Sequence, residues 1–76
     1  MKDIHFSATS SWLSAEIQSI PLFLAEGLLK CTASARHNTI TVEFPDGKKE
    51  IYTITDEEYA FIEYLESIGS MDGTLF

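Results

Sequence analysis

From Lys2 to Ala8 apolar and polar residues alternate, with Ile4, Phe6 and Ala8 on one side and Asp3, His5 and Ser7 on the other. A period of two predicts a short strand whose polar side carries His5. Polarity then clusters at Thr9-Ser10-Ser11, a turn and N-cap signal. Beyond it Leu13, Ile17, Ile20, Leu24 and Leu28 recur at helical spacing, with Trp12 beside them. The pattern predicts a helix from Ser11 to Glu26. Pro21 opposes an unbroken one, because a mid-helix proline costs about 3 kcal/mol unless the helix kinks there. The alternative is a short helix ending near Ser19, with Pro21 opening a second turn that stops at Gly27.

Period two returns after Leu28. Leu29, Cys31, Ala33 and Ala35 alternate with Lys30, Thr32 and Ser34, and Ile40, Val42 and Phe44 alternate with Thr39, Thr41 and Glu43. A two-residue turn at His37-Asn38 pairs Ala35 with Ile40, Ala33 with Val42 and Cys31 with Phe44, which puts every apolar residue on one face. Asn38 tolerates the positive φ that such a turn needs. Phe44-Pro45-Asp46-Gly47-Lys48 reads as a type I turn closed by a left-handed glycine. Its register pairs Ile40 with Tyr52 and Glu43 with Lys49, opposite charges across a pair. The expected product is an antiparallel meander over residues 28–35, 39–44 and 48–54. One face is apolar and the other is polar and rich in threonine.

The clearest helix runs from Thr55 to Gly69. Thr55-Asp56-Glu57-Glu58 fits a capping box, and Ile54 and Tyr59 stand at the two positions of a hydrophobic staple. Phe61, Leu65 and Ile68 share one face at 100° per residue, flanked by Ile62 and Tyr64. That stripe is expected to bury against the meander. Asp56, Tyr59, Glu63 and Glu66 are expected on the opposite, outward side. Ser70 to Phe76 reads as a tail. The fold class is α+β, one domain over residues 1–76, in the order β-α-β-β-β-α. Its antiparallel sheet has three to four strands, with the C-terminal helix packed on one face.

Charge sharpens this outline. The net charge is −7. Residues 1–40 balance Lys2, Lys30 and Arg36 against Asp3, Glu16 and Glu26, whereas residues 41–76 set Lys48 and Lys49 against nine acids and carry the whole excess. With no basic patch, direct binding to nucleic acid or to an anionic membrane is not expected. A single cysteine allows no internal disulfide and suits a reducing compartment. Lys2 is followed by polar residues rather than an apolar leader, and Ile20 to Ala25 is too short to span a bilayer. A cytoplasmic protein is expected.

Candidate chemistry is sparse. Cys31 and His37 form a thiolate–imidazole pair only if the hairpin brings them together, and the expected register points Cys31 into the core. His5, His37 and Cys31 lack the spacing of a zinc site. The glycines at 27, 47, 69 and 73 all have turn or cap roles, and no phosphate-binding loop is present. The helix carboxylates lack the alternation of a calcium loop. No catalytic residue, cofactor or metal is therefore expected.

What remains is a surface. The leading expectation is a non-enzymatic binding module (an inhibitor, adaptor or accessory subunit). It presents Asp56, Glu57, Tyr59, Glu63 and Glu66, with Trp12 as a further aromatic anchor, to a basic surface on a protein partner. A narrower alternative makes that partner a nucleic-acid-binding protein or nuclease, with the carboxylates mimicking phosphates. A third is a homodimer or other oligomer, joined through Trp12 and the apolar residues of 12–28 or through the threonine-rich sheet face.

Overall fold

A computed structural model of the chain describes residues 3–22 and 27–68. The elements are β1 (Ile4–Thr9), α1 (Ser10–Glu16), β2 (Leu28–Ser34), β3 (Thr39–Glu43), β4 (Lys49–Thr53) and α2 (Asp56–Ser67). The strands form one four-stranded antiparallel sheet in the order β1-β2-β3-β4. Alternation decides its two faces. Ile4, Phe6, Ala8, Leu29, Cys31, Ala33, Ile40 and Val42 are buried on one, and both helices lie against it. The other face includes Thr32, Thr41 and Ile51, and among the described residues no helix lies over it.

The turns explain the register. Ala35 to Asn38 joins β2 to β3 as four turn residues rather than two, and the observed pairs are Ala33 with Ile40 and Cys31 with Val42. The expected pairing is thus displaced by two residues. A slip of two keeps every side chain on its face, so the core is unchanged. Asn38 takes the left-handed conformation at φ 51 and closes the turn, and its carbonyl accepts from the Ile54 N–H at 2.9 Å. The second turn follows its chemistry closely. Gly47 sits at φ 92 and its N–H donates to Phe44 O at 2.9 Å, while the Phe44 N–H donates to Lys48 O at 2.7 Å. Ile40 pairs with Tyr52 and Glu43 with Lys49, as expected.

The first helix is shorter than its apolar spacing suggests. Thr9 caps it, its hydroxyl accepting from the Trp12 N–H at 3.3 Å, and it ends at Ile17, which has φ −119 and ψ 90. Neither an end at Glu26 nor one near Ser19 is observed. Pro21 disfavours helical backbone at Ile20, and its ring would collide with the Ile17 carbonyl. The chain leaves the helix one turn before that conflict. From Ile17 to Leu22 it runs as a non-helical strap whose Ile17, Ile20 and Leu22 are buried while Gln18, Ser19 and Pro21 are exposed. The helical spacing of 13, 17 and 20 thus marks burial without marking helix. The second turn expected between Pro21 and Gly27, the Gly69 stop and the 70–76 tail lie wholly or partly outside the described residues.

α2 carries the full capping box: the Glu58 N–H donates to Thr55 Oγ1 at 3.1 Å and the Thr55 N–H donates to Glu58 Oε1 at 2.7 Å. Its buried residues are Tyr59, Ile62 and Leu65, with Phe61 partly buried, while Tyr64 and Ile68 are 59% and 53% exposed. The expected stripe of Phe61, Leu65 and Ile68 is therefore turned by roughly 100°, one residue step. The staple explains why. Ile54 is buried in the same cluster as Tyr59, so the residue at the fourth helical position is drawn inward.

If Ile62 is the keystone of this packing, Ile62→Ala should cost about 2–5 kcal/mol. That is a large part of the roughly 4–11 kcal/mol typical of a domain this size. Ile68→Ala, on an exposed residue, should change stability by about 0.5 kcal/mol or less. Urea denaturation of the two variants checks the order, and equal losses would contradict the observed rotation of α2.

Candidate functional site

The solvent side of α2 is assembled by its capping. Thr55 fixes where the helix begins, and the staple fixes which way it turns. The result exposes Asp56, Glu57, Glu63 and Glu66 together with Tyr64 and Ile68. Tyr64 lies one turn before Ile68, so the two side chains share one line of the helix, with Glu57 two turns before Tyr64 on that line and Glu63 and Glu66 further round towards Tyr59. Among the described residues the one ion pair is Lys48 Nζ to Glu50 Oε1 at 3.5 Å, and it involves none of these helix carboxylates.

Tyr59 requires a correction. It was expected beside Glu63 and Glu66 as the aromatic of this surface, but it is only 8% exposed. Burial raises its phenol above the usual range, and the charges of Glu63, Asp3 and Glu66 raise it further. The three carboxylates gather near a phenol that is held neutral. The exposed aromatic is Tyr64, which the sequence reading had placed beside the buried stripe. The staple contained the signal: Ile54 at the position before the cap already implied that Tyr59 points inward.

Trp12 also has an intramolecular setting. Its ring meets Phe6 edge-on at 6.2 Å between centroids and stacks with Phe61 at 6.4 Å and 21°. The indole ties α1 to β1 and to α2, a packing role worth about 0.5–1.5 kcal/mol per aromatic pair beyond area burial.

Glu58 is held apart from the other helix acids. Besides capping α2 it accepts from the strap, from Ser19 Oγ at 2.7 Å and from the Ser19 N–H at 3.3 Å. Burial pushes its carboxyl up, but the hydrogen bonds from Thr55 and Ser19 outweigh that, and the carboxyl sits below the usual carboxylate range. This single side chain closes the helix start and pins residues 18–20 to it. Glu57 and Glu16 flank the shallow depression around this junction.

The remaining candidate groups are dispersed. Cys31 is buried, its thiol pushed up to about 12 by desolvation and directed at the Leu29 carbonyl at 3.7 Å. His37 lies in the exposed β2–β3 turn. His5 lies on the open sheet face, with Nδ1 3.1 Å from Thr32 Oγ1. Among the described residues no group of three or more His, Cys, Asp or Glu side chains could hold a metal ion. Among them, too, no helix is long and apolar enough to cross a membrane.

Two measurements check this description. The Glu58 carboxylate, depressed in the fold, contributes stability that is complete above the unfolded glutamate pKa of about 4.3 and is lost as pH falls through the folded value. Glu58→Gln should therefore lower stability near pH 7, by about 1 kcal/mol or less at this mostly solvated site, and the gap to wild type should close as pH falls below the unfolded glutamate pKa and through the depressed folded one. A gap independent of pH would remove the charge from the capping account. Cys31 should resist a thiol reagent in the folded protein and react only with the unfolded fraction. Rapid stoichiometric modification under native conditions would contradict its burial. Compared with protein-family models, with curated proteins and with solved structures, the chain matches none.

Proposed function

We propose that this chain is a small non-enzymatic protein-binding module that offers the solvent side of α2 to a basic surface on its partner. The supporting observation is that α2 exposes Tyr64 and Ile68 along one line and Asp56, Glu57, Glu63 and Glu66 on the rest of its solvent-facing surface. Exposed apolar side chains within a charged rim are the usual composition of a docking patch. Carboxylates on a helix that carries no Lys or Arg of its own attract an oppositely charged partner at a distance and speed encounter. Tyr64 and Ile68 then supply the apolar contact that slows release. In this reading the module acts as an inhibitor, adaptor or accessory subunit. The lone buried cysteine is compatible with a reducing, cytoplasmic setting.

Affinity capture from the native host, run at low and at high salt, tests the proposal. A specific partner should bind wild type at low salt and weaken as salt rises. Glu63→Lys combined with Glu66→Lys should abolish capture while circular dichroism stays unchanged. Tyr64→Ala should lower affinity by at least about tenfold, equivalent to 1.4 kcal/mol. A partner that binds the charge-reversed protein as well as wild type would refute the acidic-face assignment. Competition by DNA or RNA for the captured partner would narrow its class to a nucleic-acid-binding protein.

A further inference from the structure

We infer that the free edge of β4 pairs with β4 of a second copy, in one register centred on Ile51, joining two sheets into one. β4 is an outer strand of the sheet, and among the described residues the main contacts of the helices fall on β1 and β2, at and beside the opposite edge. Among the described residues, a second copy approaching β4 therefore meets mainly sheet.

The backbone phase of β4 selects the register. The Phe44 N–H donates to Lys48 O and the Ile54 N–H donates to Asn38 O, so these are the hydrogen-bonded pairs of the β3–β4 ladder. Such pairs recur at every second residue in antiparallel strands. Glu50 and Tyr52, opposite Val42 and Ile40, accordingly turn their N–H and C=O groups towards β3. Lys49, Ile51 and Thr53 turn theirs outward. A two-fold axis at Ile51 places Ile51 opposite Ile51 of the second copy and Lys49 opposite Thr53, and each of these pairs exchanges two backbone hydrogen bonds.

Side chains agree with that register and disfavour a slip towards Lys49. Ile51 is 69% exposed in the single chain and meets its own counterpart on the axis. Glu50 falls opposite Tyr52 of the other copy, which brings together at each end the Tyr52-to-Glu50 hydrogen bond that each chain already makes within itself. A slip that centres the axis on Lys49 sets two ammonium groups against each other, which is destabilising. The local charges are complementary as well. Lys48 and Lys49 stand at the start of β4, and Asp56 and Glu57 follow its end. Antiparallel pairing runs the basic end of each strand towards the acidic end of the other. At about 0.15 M salt a Debye length of ~8 Å screens the repulsion between two bodies of net charge −7. The edge lysine that commonly guards against indiscriminate pairing acts here as a register selector.

Sedimentation equilibrium of the full chain, from about 5 μM to about 1 mM, tests the inference. A monomer–dimer equilibrium is expected. Ile51→Lys sets like charges on the axis, and Ile51→Pro removes an outward N–H that the single chain does not use. Each should weaken association by at least about tenfold with unchanged circular dichroism. Leu28→Lys, at the other exposed aliphatic residue of the open sheet face, should leave it intact. A measurement without variants is amide exchange: Lys49, Ile51 and Thr53 should become protected as concentration rises, while Glu50 and Tyr52 are protected throughout. A chain that stays monomeric over the whole range overturns the inference. So does a dimer that survives both Ile51 substitutions, or concentration-independent exchange at the outward amides.

Discussion

One sheet face must be roofed, and the described residues supply little helix with which to do it. α1 has 7 residues and α2 has 12. A domain of this size buries only about 60–65% of its unfolded surface, so each covering side chain matters. The roof is completed by the strap, whose Ile17, Ile20 and Leu22 reach the core without helical backbone. Glu58 joins the two parts by capping α2 and holding Ser19. Orientation of α2, closure of the strap and exposure of the acidic side are thus consequences of one packing requirement.

Much of this was legible in the residues, for identifiable reasons. Strand patterning is robust because the alternation of Leu29, Cys31, Ala33, Ile40 and Val42 survives a slip of two residues. The Pro45–Gly47 turn and the Thr55–Glu58 box carry their geometry in residue type. What was not legible depends on tertiary contact. The spacing of Leu13, Ile17 and Ile20 could not distinguish a continued helix from a strap that buries the same residues. The α2 stripe misled because seven of its positions, from Tyr59 to Ile68, are apolar on several sides (Tyr59, Ala60, Phe61, Ile62, Tyr64, Leu65, Ile68). A helix that is apolar over so wide an arc has no unique inward face until the sheet selects one.

That selection matters for function more than for the fold. A turn of one residue leaves a core of similar composition, yet it exchanges Tyr59 for Tyr64 on the surface. Asp56, Glu63 and Glu66 are outward in either orientation, whereas Glu57, one turn before Phe61, is outward only in the observed one. The negative charge was therefore readable from sequence, whereas the aromatic set within it was not. Trp12 illustrates the same distinction: near a helix start it looked available, but Phe6 and Phe61 occupy its ring.

The rotation of α2 is thus the claim on which the account turns. Solvent paramagnetic relaxation measured by NMR reports it directly, because a soluble paramagnetic agent broadens only protons it can approach. The Tyr64 ring and Ile68 methyls should be strongly broadened, and the Tyr59 ring and Ile62 methyls should be shielded. A shielded Tyr64 with a broadened Tyr59 would mean that the helix presents its other side, and the account would be wrong.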